Sequence, residues 1–154
     1  GHEEEREGFA LYWAALLNRL IESTTAGLLL IGGEAEGQRI QRLAARLPSE
    51  RIRVAQSLPL VELASLLAGS VGFIGHDSGI SHLAAAVGLQ GLILWGDSSE
   101  TVWRPPSQRM RILRHPAGLA QLPVQVVWEQ VWRTWGSSLG RNPGAVSAYV
   151  ENAK

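Results

Sequence analysis

Apolar residues near the start of the chain recur at helical spacing. An amphipathic helix of about four turns is predicted from the stripe Phe9, Tyr12, Trp13, Leu16, Leu17 and Leu20. Residues 28–31 are then continuously apolar and end in two glycines. Such a short unbroken run favours a parallel strand that is covered on both faces.

The same cycle repeats along the chain. Further strands are predicted at 52–55, 71–74, 91–95 and 110–113, and further helices at 34–47, 61–68, 80–87 and 124–135. Pro48, Gly69 and Gly88 each follow a helical pattern and mark its end. Strands alternating with helices predict βαβ units, so the expected fold is α/β, a Rossmann-like parallel sheet flanked by helices.

The two ends of the chain carry weaker patterns. Residues 1–8 are expected to be a disordered start with a linker, and the single domain is expected to span 9–136. Residues 137–154 lack a strong period, so we expect a loosely packed tail there.

Composition removes several classes of function. The chain has 154 residues with 14 basic and 14 acidic side chains, and this balance disfavours a nucleic-acid partner or a general anionic-membrane binder. The absence of Cys excludes a thiolate nucleophile and Cys-ligated zinc. Lys154 is the only lysine, which excludes a P-loop or a Schiff base on an internal lysine.

No segment has the pattern of a membrane span or a signal peptide. The longest apolar runs, at 27–31 and 91–95, are far too short to cross a bilayer. The first residues are acidic, which is the opposite of a signal-peptide start. A soluble, intracellular protein is expected.

The rarity of aspartate draws attention to two loops. Only Asp77 and Asp97 are present, and Asp favours turns and helix caps. Both lie in segments that follow predicted strands, at 75–82 and 96–106. Ligands of open parallel sheets bind beyond the carboxyl ends of the strands, so these loops are the first candidates for a site.

The segment 75–82 suits a phosphate group. Ser78 and Gly79 fall at the predicted N-terminus of a helix, where free N–H groups and the helix dipole favour an anion. His82, about one turn later, can point to the same anion. An alternative from the same residues is that Asp77 or Ser78 caps the helix and His82 is a partly buried helix residue.

Two other chemistries fit this segment less well. A hydrolase using Ser78 and His82 lacks the G-x-S-x-G frame of a nucleophile elbow. A metal site formed by His76, Asp77 and His82 matches no standard ligand spacing.

Three further features are candidates of lower specificity. The turn at 32–37 is not G-x-G-x-x-G, but Glu36 is placed to accept hydrogen bonds from ribose hydroxyls or to stabilise the first turn of a helix. In the long loop, Trp103 could stack on a sugar or base and Arg104 could bind a phosphate, or the Trp could pack the loop on the domain. A third feature is the stripe Trp128, Trp132 and Trp135, which fits buried core or a surface for a missing domain.

The order of these motifs resembles glycosyltransferase family 9, the ADP-heptose:lipopolysaccharide heptosyltransferases and their relatives. The resemblance rests on GHDSGISHLAAAVG at 75–88, LILWG at 92–96 and VWRP at 102–105, with LLIGGEAE at 29–36 and LVELA at 60–64 upstream. It covers residues 9–135 in order. Gln90 stands where the family usually has Pro, and Asp97 and Ser98 stand where it usually has Pro-Thr.

The resemblance implies the C-terminal, donor-binding half of a GT-B enzyme, with 9–136 as the nucleotide-sugar-binding domain. The whole enzyme is then expected to transfer a sugar from an ADP-sugar, expected to be ADP-heptose, to a lipopolysaccharide-type acceptor, with inversion and without a cofactor or metal. Acceptor site and catalytic Asp base would lie in a missing N-terminal domain, so this fragment would be inactive alone. The expected location is cytoplasmic, compatible with a peripheral position at the inner membrane face. The alternative is a stand-alone nucleotide-binding or regulatory module.

The resemblance also assigns roles to single residues. Ser78, Gly79 and His82 would hold the donor diphosphate, with Ser78 and His82 stabilising the leaving group. Asp77 would contact the sugar or orient the loop. The remaining donor contacts implied are Glu36 on the ribose, the backbone around Leu58 on the adenine, and Gly96, Ser98 and Trp103.

Overall fold

A computed structural model describes residues 2–33, 37–76, 79–95, 109–114, 121–141 and 145–149. The five α-helices of these ranges are α1 (His2–Ser23), α2 (Gly37–Ala44), α3 (Leu60–Ala68), α4 (Gly79–Ala86) and α5 (Val124–Arg141). The strands are β1 (Gly27–Gly32), β2 (Ile52–Gln56), β3 (Gly72–Gly75), β4 (Gly91–Trp95), β5 (Met110–Arg114) and β6 (Ala145–Tyr149). Each strand and helix that the hydrophobic pattern predicts is present among them, and α1 starts earlier than the predicted Phe9.

The described strands form one parallel sheet in the order β2-β1-β6-β3-β4-β5. From β1 the chain moves outward to β2, and from β3 it moves outward in the other direction through β4 to β5. The direction of winding therefore reverses around β6, which pairs with β1 on one side and β3 on the other. The predicted α/β fold with a parallel sheet flanked by helices is confirmed.

Alternate residues of the central strands enter two separate cores. Leu28 and Leu30 of β1 pack with α1, α2 and α5, which we call the α1 layer. Leu29 and Ile31 pack with α3 and α4, which we call the α3 layer. Because both faces of the central strands are covered, the run at 28–31 is apolar at every position instead of alternating.

The C-terminal part of the described chain differs from the loosely packed tail that the sequence predicts. Helix α5 continues to Arg141, and β6 lies at the centre of the sheet. Val146 and Ala148 face the α1 layer, while Ser147 faces the other way and is fully buried. The strand has only five residues, mostly small, so it carries no periodic signal that would distinguish it from a loop.

Two close contacts fix the α1 layer to the sheet. The indole of Trp135 in α5 lies against Gly72 at the start of β3, so closely that a Cβ on this glycine would overlap the ring. Before β1, Arg51 donates hydrogen bonds to the Thr24 carbonyl at 2.9 Å and the Ala26 carbonyl at 2.7 and 3.0 Å. These bonds hold the connection between α1 and β1.

None of the helices in the described ranges is both long and apolar enough to cross a membrane.

Candidate donor-binding site

The carboxyl ends of β1, β6 and β3 meet where the winding of the sheet reverses. In open parallel sheets a crevice forms at this switch point, because the connections from the strands on its two sides leave in opposite directions. Helix α2 begins beyond β1, and α4 begins beyond β3. The two helices lie in different layers, so their N-termini approach the same edge of the sheet from opposite faces.

The N-terminus of α4 is open. Gly79, its first residue, is exposed, and a Cβ built on it would meet nothing within 4 Å. The first turn of the helix carries no acidic side chain. The first N–H groups of a helix have no partner within it, so a first turn without a carboxylate is suited to bind an anion.

His82 lies on the same helix, three residues after Gly79, and is half-buried. Residues three apart on a helix lie on neighbouring positions of one face. The structure therefore brings together the two described members of the predicted diphosphate site.

His76 follows β3 directly and is one of the few buried polar residues among those described, with 7% of its surface exposed. Its Nδ1 lies 3.2 Å from the carbonyl oxygen of Leu94 on the neighbouring strand β4. A carbonyl only accepts, so Nδ1 carries the proton. The ring stands edge-on to the indole of Trp13 in α1, with centroids 5.6 Å apart and planes at 79°.

Burial keeps this imidazole neutral. Desolvation is the main cause that lowers the pKa of His76 from 6.5 to about 4, the hydrogen bond to Leu94 opposes the shift, and the positive charge of Arg39 on α2 adds to it. At neutral pH, His76 is therefore an uncharged hydrogen-bond donor.

The connection beyond β2 forms the other side of the crevice. The side-chain amide of Gln56 lies against Gly37, the first residue of α2, where a Cβ would overlap it. Ser57 follows in the left-handed region with a φ of 55° and donates its N–H to the Gly32 carbonyl at 2.9 Å. Leu58 is half-buried against the α3 layer. A strained non-glycine residue held between two strand ends marks a connection whose path is tightly constrained.

Comparison with known proteins identifies the family of this chain. The family model described as glycosyltransferase family 9 (heptosyltransferase) matches residues 10–125. The chain belongs to glycosyltransferase family 9. The resemblance seen in the order of the sequence motifs is thereby confirmed.

Two relatives show how much of a larger protein this family 9 chain covers. It is 38% identical to lipopolysaccharide heptosyltransferase 1 of Pseudomonas aeruginosa over 88 residues, which are 57% of this chain and 24% of the relative. The solved structure of E. coli heptosyltransferase WaaC with ADP superposes with a TM-score of 0.72 at 24% identity, over 81% of this chain and 39% of that one. The chain thus spans well under half the length of either relative.

Several predicted site residues of the family 9 chain lie outside the described residues. They are Glu36, Asp77, Ser78, Gly96, Ser98 and Trp103, together with Asp97 and Arg104. Their roles stay predictions. Of the predicted set, Gly79, His82 and Leu58 are described, and all three lie near the carboxyl edge of the sheet. Across the described ranges, no three His, Asp or Glu side chains are grouped so as to hold a metal ion.

The tryptophan stripe of α5 divides between core and surface. Trp128 and Trp135 are buried in the α1 layer, whereas Trp132 is 50% exposed. Arg19 of α1 lies over the Trp128 ring at 5.5 Å and donates to Gln125 at 3.2 Å. The two buried rings therefore pack α5 against α1, through Trp128, and against the sheet, through Trp135.

A cavity of about 220 Å³ lies at the opposite edge of the sheet, before β3, β4 and β5. Among its lining residues are Ser70, Gln90 and Arg109. Since it opens at the amino ends of the strands, it is remote from the crevice where the carboxyl ends meet.

Proposed function

We propose that this chain is the donor-binding, C-terminal half of a GT-B glycosyltransferase of family 9. The whole protein would transfer a sugar, which we propose to be a heptose, from an ADP-sugar to a lipopolysaccharide-type acceptor. It would act in the cytoplasm and need no cofactor, since the donor itself carries the activated bond.

One observation carries the proposal: the exposed N-terminus of α4 at Gly79, with His82 on the same helix, at the carboxyl end of β3. This is the place in a parallel sheet where a diphosphate would find free N–H groups and a positive helix end. The net charge of zero is compatible with it, because such a site needs no excess of basic side chains.

The proposal of an adenine nucleotide draws on the relatives. The E. coli heptosyltransferase that shares this fold was solved with ADP, and the Pseudomonas aeruginosa relative is a lipopolysaccharide heptosyltransferase. Within the nucleotide, Glu36 would bind the ribose and the backbone near Leu58 would face the adenine. Asp77, Gly96, Ser98 and Trp103 would lie toward the donor sugar.

The reaction we propose is a direct displacement at the anomeric carbon. A base from the missing domain takes the proton of the acceptor hydroxyl, the hydroxyl oxygen bonds to the anomeric carbon, and the bond to the ADP oxygen breaks. Negative charge then develops on the leaving diphosphate. The α4 N-terminus, with Ser78 and His82, would stabilise that charge, which lowers the barrier to departure.

The test is a pair of matched substitutions at Gly79. The open space around this position accommodates either side chain, so Gly79→Asp and Gly79→Asn should both fold. Asp places a carboxylate where the diphosphate would bind, and we expect the affinity for ADP to fall at least about tenfold relative to Asn. Calorimetric titration with ADP, UDP, GDP and CMP measures both the effect and the base preference.

Each outcome of this titration decides part of the proposal. Equal ADP affinity in the two variants would contradict diphosphate binding at α4. A lack of preference for ADP over the other nucleotides would contradict the adenine assignment. In the same titrations Glu36→Ala should weaken ADP binding through the ribose. Sugar transfer by the 154-residue chain alone would contradict the claim that the base lies in another domain.

A further inference from the structure

His76 makes two hydrogen bonds that the proposed donor site does not yet explain. It stands between β3, which ends at Gly75, and α4, which begins at Gly79. The stretch that connects the sheet to the diphosphate site therefore starts at this residue. Its side chain and its main chain each contact a different element.

The side chain fixes His76 to the sheet and to α1. Nδ1 donates to the Leu94 carbonyl of β4 at 3.2 Å, and the ring packs edge-on against Trp13. A buried, hydrogen-bonded ring has one available rotamer, because any other would break the bond or open a cavity.

The main chain ties His76 to α4. Ser81, in the first turn of that helix, is fully buried and donates its hydroxyl proton to the His76 carbonyl. Ser81, His76 and Leu94 thus form a relay of hydrogen bonds from the start of α4 to the end of β4. Through it, the position of the helix N-terminus is set against the sheet edge.

The charge state of the imidazole supports this arrangement. Among the described residues, the imidazole has beside it the Arg39 guanidinium from α2, the Trp13 indole from α1 and the Leu94 carbonyl from β4. Burial beside the positive charge of Arg39 favours the neutral ring. The Leu94 carbonyl requires a proton on Nδ1, which the neutral ring supplies in that tautomer.

We propose that His76 is a positioning residue for donor binding, which holds the N-terminus of α4 where its N–H groups meet the diphosphate. This rests on the proposed function of α4. His76 would act through the helix, without touching the donor. The effect should fall on the phosphate part of the nucleotide that lies against α4, and it should leave the nucleoside part nearly unchanged.

The experiment compares ADP with AMP on the 154-residue chain carrying His76→Leu, His76→Asn or Ser81→Ala. Leu keeps much of the volume but cannot donate, whereas the Asn amide can replace the Nδ1–H donor. We expect His76→Leu and Ser81→Ala to weaken ADP binding by about tenfold, because a displaced α4 N-terminus would lose about one charge-assisted hydrogen bond to the diphosphate. AMP binding should weaken by less. His76→Asn should restore the ADP-to-AMP affinity ratio of the unsubstituted chain.

The readout separates positioning from simple stabilisation. A purely structural role would lower the melting temperature and leave the ADP-to-AMP ratio of the folded protein unchanged in all three variants, and that result would overturn the proposal. Should His76→Leu fail to fold, Ser81→Ala tests the other half of the relay by the same ratio. If the unsubstituted chain does not bind ADP, the proposed function itself fails, and this proposal falls with it.

Discussion

The hydroxyl oxygens of Ser70 and Ser147 lie 2.6 Å apart and join the end of α3 to the central strand β6. Ser70 also donates to the Leu66 carbonyl at 3.0 Å, which uses its only proton. Ser147 is therefore the donor of the pair, and its fully buried side chain depends on Ser70 as acceptor.

This direction of donation predicts unequal effects of two similar substitutions. Ser147→Ala removes the donor and leaves Ser70 bonded to Leu66, so we expect a loss of about 1 kcal/mol in unfolding free energy. Ser70→Ala leaves the Ser147 hydroxyl buried without its acceptor, and the loss should be larger, about 2 kcal/mol. Urea denaturation of both variants and the double variant measures the difference, and equal losses would contradict the assigned direction.

Replacing Arg51 by lysine should lower stability, although the positive charge is kept. Its guanidinium makes three hydrogen bonds to the carbonyls of Thr24 and Ala26, a fork that a single ammonium group cannot reproduce. We expect Arg51→Lys to cost about 1–2 kcal/mol of unfolding free energy. The matched control is Arg53→Lys, two residues later on β2, since Arg53 is exposed and should change stability by less than about 0.5 kcal/mol. Similar stability losses for the two variants would contradict the role given to the three Arg51 hydrogen bonds.

Gly72 should tolerate no side chain. An added Cβ would overlap the Trp135 indole, and this ring is 3% exposed within the core, so it has little room to shift. We expect Gly72→Ala to cost about 1–3 kcal/mol of unfolding free energy. Gly27→Ala on β1 is the control, because its Cβ would meet only the Arg51 carbonyl oxygen at 3.8 Å. That variant should be neutral or more stable, and a stable Gly72→Ala protein would be inconsistent with the packing described.

The buried imidazole predicts how stability depends on pH. The pKa of His76 is lowered by burial from 6.5 to about 4, so between these values the unfolded chain binds a proton that the folded chain does not. The contribution of neutral His76 to the unfolding free energy is therefore complete above pH 6.5. It is lost as the pH falls toward 4, by about 3 kcal/mol in total.

The measurement is the unfolding free energy from pH 7 to pH 4 for the unsubstituted chain and His76→Leu. Because the other titrating groups are common to both proteins, the difference between the two curves isolates His76. We expect the curve of the variant to be flatter over this window. Parallel curves would show that the imidazole is solvated in the folded state.

Much of the fold and part of the site were predictable, because they depend on local pattern. The run at 28–31, followed by glycines and a helical repeat, indicates a buried parallel strand without reference to the rest of the chain. Gly79 and His82 lie on a strand-to-helix connection with a recognisable order of residues, so their position at the sheet edge could be predicted. The family resemblance then added the type of ligand.

The remaining features depend on contacts between distant elements. Nothing local distinguishes β6 from a loop, since its burial comes from β1 and β3. The sequence offers His76 only as a weak metal-ligand candidate, because Trp13, Arg39 and Leu94 come from three other elements that only the folded chain brings to it.

The central position of β6 also means that the sheet can be completed only late in synthesis. The ribosome makes β1 through β5 first, and these can form only two partial sheets, β2-β1 and β3-β4-β5, each with an unpaired edge toward the gap. Unpaired edges are templates for pairing with other chains, and late, long-range strand pairing slows folding. The nascent chain therefore remains vulnerable to aggregation until Tyr149 has emerged, and chaperones that shield strand edges should matter most during that interval.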